Sequence, residues 1–198
     1  MASGILQKSA ATPDRSRSGH RHLKIAVVVG VGRGETPLSA FDKALWRCGV
    51  HDYNLLALSS VIPPGSEVVI CDRYQAPGVE YGHRLYVVKA EMRSQVPGAT
   101  IAAGLGWWQR DDGRGVLVEH EVSDQDASPA ETEGALSEQI AASLRGLASV
   151  RGVALTPDQV LMHVFSTRVE SLPTCVLVLA VYQAEGWPSD SSATERRR

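Results

Sequence analysis

The junction between Lys24 and Gly49 most limits what this chain can fold into. Ile25, Val27, Val28 and Val29 form a β-branched run, stiff at χ1 and suited to a pleated surface. The run ends in Gly30, Gly32 and Gly34, a pattern that predicts a buried strand over 24–29 entering a tight loop. A helix must then start at once. Thr36 is a capping residue, Pro37 suits a first helical turn, and Gly49 stands where a left-handed cap closes a helix, which brackets 37–48. Glycines between a strand and a helix invite a dinucleotide-binding reading. Glu35 occupies the place of the third glycine, however, and no phosphate-loop lysine follows, so the cluster reads as a turn that lets backbone come close to something.

Further strands are predicted at 53–58, broken by Ser59-Ser60 and resumed at Val61-Ile62 before Pro63-Pro64-Gly65 forces a turn. Others follow at 67–71, 84–91, 99–108, 114–122, 159–169 and 175–182, the last two able to pair through the turn at 170–174. Between them Ala135, Leu136, Ile140, Leu144 and Leu147 recur at helical spacing, predicting a long amphipathic helix to about Val150. Strands around two helices make an α+β layered domain, and 198 residues, 43% hydrophobic, suffice for one such core. The folded unit is expected at 23–186. Residues 1–22 read as a mobile arm and 187–198 as a disordered tail, since neither has apolar periodicity.

Charge and cysteine usage narrow the function classes. Twenty Lys and Arg against 22 Asp and Glu give a net charge of -2, which favours neither nucleic acid nor an anionic membrane as partner. There is no membrane-spanning run and no secretory apolar segment, so a cytoplasmic location is expected. Cys48, Cys71 and Cys175 lack any CxxC spacing and read as small core residues, not a disulfide framework or a zinc site. No metal is expected; His20 and His22 fall in the arm.

Three features carry chemistry. Asp42 shares a helical face with Leu38, Phe41 and Leu45, and a carboxylate on an apolar face needs either a structural Arg or Lys or a cationic ligand. Ser59-Ser60 sits at a strand break before two prolines, which alone reads as a turn. In Val116-Leu117-Val118-Glu119-His120-Glu121, strict alternation puts Glu119 on the side of Leu117 and fits a solvated carboxylate equally well. His120 falls on the opposite side.

Taken together, Gly34-Glu35-Thr36-Pro37-Leu38-Ser39-Ala40-Phe41-Asp42-Lys43-Ala44-Leu45 and Asn54-Leu55-Leu56-Ala57-Leu58-Ser59-Ser60-Val61-Ile62-Pro63-Pro64 resemble the pyruvoyl-dependent arginine decarboxylases, whose members look like GETxLNAFDxALxxAG, then NxNL, then SSIxPP. The resemblance is specific from Val29 to Glu67 and continues diffusely through 115–121 into the second helix and last strands. It departs at His51-Asp52-Tyr53, where the family often has Gly-Asn and a small aliphatic residue, and at the bulky Trp46-Arg47.

The resemblance implies an αββα layered sandwich of mostly antiparallel sheets and a chain that cuts itself between Ser59 and Ser60. Ser60 would supply the attacking oxygen and become a covalent pyruvoyl cofactor, which forms a Schiff base with L-arginine and releases agmatine and carbon dioxide. By the same resemblance Asp42 receives the substrate guanidinium, Asn54 orients the substrate or the scissile segment, Ser59 lines the substrate site, and Glu119, kept neutral by burial, protonates the decarboxylated carbon. A homotrimer or a dimer of trimers, with sites between neighbouring subunits, is implied as well. The rivals are a decarboxylase of another basic amino acid and a non-catalytic subunit that stabilises an active partner.

Overall fold

The computed structural model describes residues 22–75 and 81–187. The order is β1 (Leu23–Arg33), α1 (Pro37–Cys48), β2 (Asn54–Ala57), β3 (Val61–Ile62), β4 (Ser66–Ile70), β5 (Arg84–Ser94), β6 (Thr100–Gln109), β7 (Gly115–Asp124), α2 (Pro129–Val150), β8 (Leu161–Arg168) and β9 (Thr174–Glu185). One sheet runs β2-β5-β9-β1-β4 and the other β3-β7-β6-β8. Adjacent strands are antiparallel except at the outer pairs β1 with β4 and β2 with β5. The inner faces of the sheets meet through Val27, Val88, Ile101, Leu105, Leu117, Val178 and neighbours. Helix α1 covers the outside of the first sheet, and α2 covers the outside of the second through Leu136, Ile140 and Leu144. This is the expected αββα sandwich. No helix among the described residues is long and apolar enough to cross a membrane.

Helix α1 has the predicted ends: the Thr36 hydroxyl accepts from the Ser39 N–H at 3.1 Å, and Gly49 adopts φ 83°. The glycines before it behave differently from expectation. There is no tight loop at Gly30, because β1 continues to Arg33 with Gly30 and Gly32 inside it. A Cβ at Gly32 would collide with the Ala40 carbonyl oxygen and the Ala44 nitrogen, and one at Gly30 with the Ala44 carbonyl oxygen. The backbone that comes close is therefore that of α1 itself. Close approach selects the small-residue face of the helix, so Ala40, Ala44 and Cys48 are buried with Leu45. Leu38 is 69% exposed, and Asp42 is exposed beside it, which corrects the expectation that Asp42 lies on the buried apolar face.

Two further expectations change. Strands β8 and β9 do not pair: β8 is the outer strand beside β6, whereas β9, buried along most of its length, is central in the other sheet. Trp187 is not part of a tail, since its indole N–H donates to the Gly82 carbonyl at 3.0 Å and the Arg84 guanidinium lies 4.7 Å from its ring centre. The rest of the expected arm and tail, 1–21 and 188–198, lies outside the described residues.

The glycine account makes a paired prediction. Gly32→Ala drives a methyl into helix backbone and destabilises by about 3 kcal/mol, lowering Tm by about 6–12 °C for a chain of this size. Gly134→Ala, in α2 where an added Cβ meets open space, stabilises by about 0.5–1 kcal/mol. Thermal melts of both variants check the signs.

Candidate active site

The chain leaves the first sheet and enters the second around the serine pair. Just beyond β2, the Leu58 N–H donates to the Val87 carbonyl of β5 at 2.9 Å. Two residues later the Ser60 carbonyl accepts from the Leu117 N–H of β7 at 2.8 Å. The Ser59-Ser60 peptide therefore lies in the crossing between two pinned points. Ser60 takes up the change of direction with φ 63°, the only positive φ of a non-glycine residue among those described. That conformation costs about 1–3 kcal/mol and persists only where the surroundings enforce it.

The Ser60 Oγ donates to Glu119 Oε2 at 2.8 Å. Alternation along β7 turns Glu119 toward the inner face, as it does Leu117, but burial stops at Val118 and Glu119 is exposed. The burial expected for Glu119 is thus absent from the single chain, and the Ser60 hydroxyl donates to its side chain there. A hydroxyl hydrogen-bonded to a carboxylate can pass its proton to it, which makes the oxygen a stronger nucleophile. Opposite, the His120 Nε2 lies 2.8 Å from the Ser143 Oγ of α2. A groove of about 500 Å³ runs past Ser60, Glu119 and His120 to Leu147 and Val150.

One member of the site is absent from the sequence reading. Tyr182 of β9 is buried between the sheets and donates its hydroxyl to the Val61 carbonyl at 3.1 Å. Burial, with the Glu119 carboxylate adding to it, pushes the phenol pKa up, so the hydroxyl keeps its proton. The available signal was a tyrosine ending an apolar strand, because a buried phenol needs a hydrogen-bond partner.

Of the other expected residues, Ser59 adjoins Ser60, whereas Asn54 and Asp42 lie apart from it. Ser59 is exposed at the crossing. Asn54 begins β2, at the far end from the serines, and its Nδ2 donates to the Gly82 carbonyl at 2.7 Å. Asp42 sits on α1, across the whole first sheet from Glu119, and makes no hydrogen bond or ion pair among the described residues. The structural Arg or Lys partner considered for it is therefore not found there. The described residues hold no cluster of three or more His, Cys, Asp or Glu able to bind a metal.

Comparison with known proteins identifies the family. The family model for pyruvoyl-dependent arginine decarboxylase matches residues 24–185. Among the curated relatives that match are three proteins named pyruvoyl-dependent arginine decarboxylase. The one from Methanocaldococcus jannaschii is 37% identical over 81 residues, 41% of this chain and 46% of the relative. That from Methanothermobacter thermautotrophicus is 30% identical over 125 residues, 63% of this chain and 79% of the relative. The third, from Halobacterium salinarum, is 35% identical over 113 residues, 56% and 69% of the two chains. The first match thus spans less than half of its relative's length. With the model match covering the sandwich from β1 to the end of β9, the chain belongs to the pyruvoyl-dependent arginine decarboxylase family.

Proposed function

We propose that the chain cuts itself between Ser59 and Ser60 and then converts L-arginine to agmatine and carbon dioxide. The observation that carries the reading is the 2.8 Å bond from the Ser60 Oγ to Glu119 at the strained crossing. Glu119 takes the hydroxyl proton as Ser60 Oγ attacks the Ser59 carbonyl carbon, and the peptide nitrogen leaves protonated, so the amide becomes an ester. Loss of the Ser60 Cα proton expels Ser59 as a carboxylate. Water then replaces the amine on the remaining unsaturated carbon, ammonia departs, and residue 60 is left as a ketone. The φ dihedral strained in the intact chain disappears with that nitrogen.

The pyruvoyl ketone supplies an electron sink for the substrate amino group. The chain's own residues bind the substrate and manage protons. Glu119, released from the serine hydroxyl, is placed to return a proton to the carbon that loses carbon dioxide. Asp42 receives the guanidinium in forked hydrogen bonds. Because the first sheet separates Asp42 from Glu119 in one chain, the Asp42 of a neighbouring copy completes the site, which supports a trimer or paired trimers. Asn54, tied to Gly82, acts by fixing the start of β2. The free thiols of Cys48 and Cys175 fit a reducing, cytoplasmic setting. Product identification with arginine, lysine and ornithine tests the reading: agmatine from arginine is expected, and a different amine as the main product would reassign the substrate.

Substitutions separate the two stages. Ser60→Ala removes the attacking oxygen and leaves one uncut chain on a denaturing gel. Glu119→Gln preserves the hydrogen bond but cannot accept a proton, so cleavage slows, and arginine turnover by whatever matures falls about 10²–10⁴-fold. Parent-like cleavage and turnover in this variant would remove Glu119 from both steps.

Asp42→Asn leaves Tm and cleavage near parent values, since the exposed carboxylate makes no hydrogen bond or ion pair among the described residues. It weakens kcat/KM for arginine by about 2–5 kcal/mol, the range for breaking a desolvated charge pair. Steady-state kinetics on the cleaved variant, alongside a thermal melt, check both halves.

A further inference from the structure

Two independent observations single out Tyr182. The ladder between β5 and β9 slips beside it: Tyr86 pairs with Gln183 and Val87 with Val181, so Tyr182 is the extra residue of a β-bulge. Bulges re-aim side chains, often beside active sites. Here the ring enters the space between the sheets, where Tyr182 is 9% exposed and reaches across to the Val61 carbonyl of the opposite sheet. That carbonyl is free to accept. The Leu117 N–H donates to the Ser60 carbonyl, and the next pair of the antiparallel ladder, Val61 with Val116, is a non-hydrogen-bonded one, which leaves Val61 with its N–H and carbonyl turned away from β7.

The need for such a hold arises when the chain is cut. In the intact chain Ser60 is restrained from upstream by Leu58 on Val87 and from downstream by its own carbonyl on Leu117. Cleavage removes the first restraint, and position 60 becomes a chain end at the head of a two-residue outer strand. Chain ends fray unless tied down. The Val61 side chain, 54% exposed, adds little packing.

We propose that Tyr182 is a positioning residue for decarboxylation: by holding the Val61 carbonyl, its hydroxyl keeps the freed end at position 60 beside Glu119. The inference rests on the self-cleaving reading above. It assigns Tyr182 to the stage after the cut, because before the cut Ser60 is already held from both directions.

Tyr182→Phe removes one oxygen and leaves the ring to pack as before. Mass spectrometry, steady-state kinetics with arginine, and the rate at which phenylhydrazine captures the new ketone are measured on the parent and the variant. The variant is expected to cleave to completion, to lose about 3- to 10-fold in kcat, the worth of one hydrogen bond, and to change KM by less than about twofold. Phenylhydrazine capture is expected to be faster, because the ketone end is looser. Unchanged kcat and capture rate, whatever happens to Tm, would overturn the proposal, since a merely structural hydroxyl moves Tm alone. Failure of the variant to cleave would overturn it too, by placing Tyr182 in maturation. A parent chain that itself stays whole would instead remove the self-cleaving reading, and this inference with it.

Discussion

Between Leu58 and Ser60 the chain passes from a hydrogen bond on Val87 in one sheet to a hydrogen bond on Leu117 in the other. Stacked sheets lie about 10 Å apart, and three residues reach about that far when extended. Little slack remains for the turn that the chain must also make, and the turn falls on Ser60 as a left-handed φ. The same crossing delivers the Ser60 hydroxyl to Glu119, at the point where β7 runs out of cover. The positive φ of Ser60 and its hydrogen bond to Glu119 are thus consequences of one topological step.

The layering also separates Asp42 from Glu119 within one chain. Gly30 and Gly32 draw α1 down onto β1 by its small-residue face, and that contact turns Asp42 outward on the far side of the first sheet. On the flank of the same helix, the Arg93 guanidinium stands 4.0 Å from the centre of the Phe41 ring, and Glu91 joins Arg93 to Lys89. These contacts hold the helix in place while Asp42 has no partner among the described residues. Under the proposed reading, the exposed Asp42 carboxylate of one copy and the Ser60 hydroxyl at the crossing of another are the two halves of a shared site.

How much of this was legible depended on whether the determining contacts were local. The capped helix at 37–48 was readable because Thr36, Pro37 and Gly49 act within one turn of themselves. The αββα architecture followed from the resemblance carried by the Asp42 and Ser59-Ser60 segments. Contacts made across layers left no local trace. Nothing near Gly32 says that Ala40 and Ala44 will lie on it, so the buried face of α1 was read one step round the helix from where it is. The pairing of β8 with β6 instead of β9 is a choice between sheets that a short turn conceals. Glu119 was recoverable only through the resemblance, because alternation suits a solvated carboxylate as well, and Tyr182 depends on a bulge that no pattern of residues announced.

The central claim is that the strained Ser59-Ser60 peptide breaks without help. Intact-mass measurement of the purified parent chain, with and without borohydride reduction, tests it most directly. The account predicts fragments of 59 and 139 residues, of about 6 and about 15 kDa, in place of the 21.3 kDa chain. Borohydride should add two hydrogens to the larger fragment alone, as a ketone requires. A preparation that makes agmatine from arginine yet shows only the uncut 21.3 kDa chain would contradict the account.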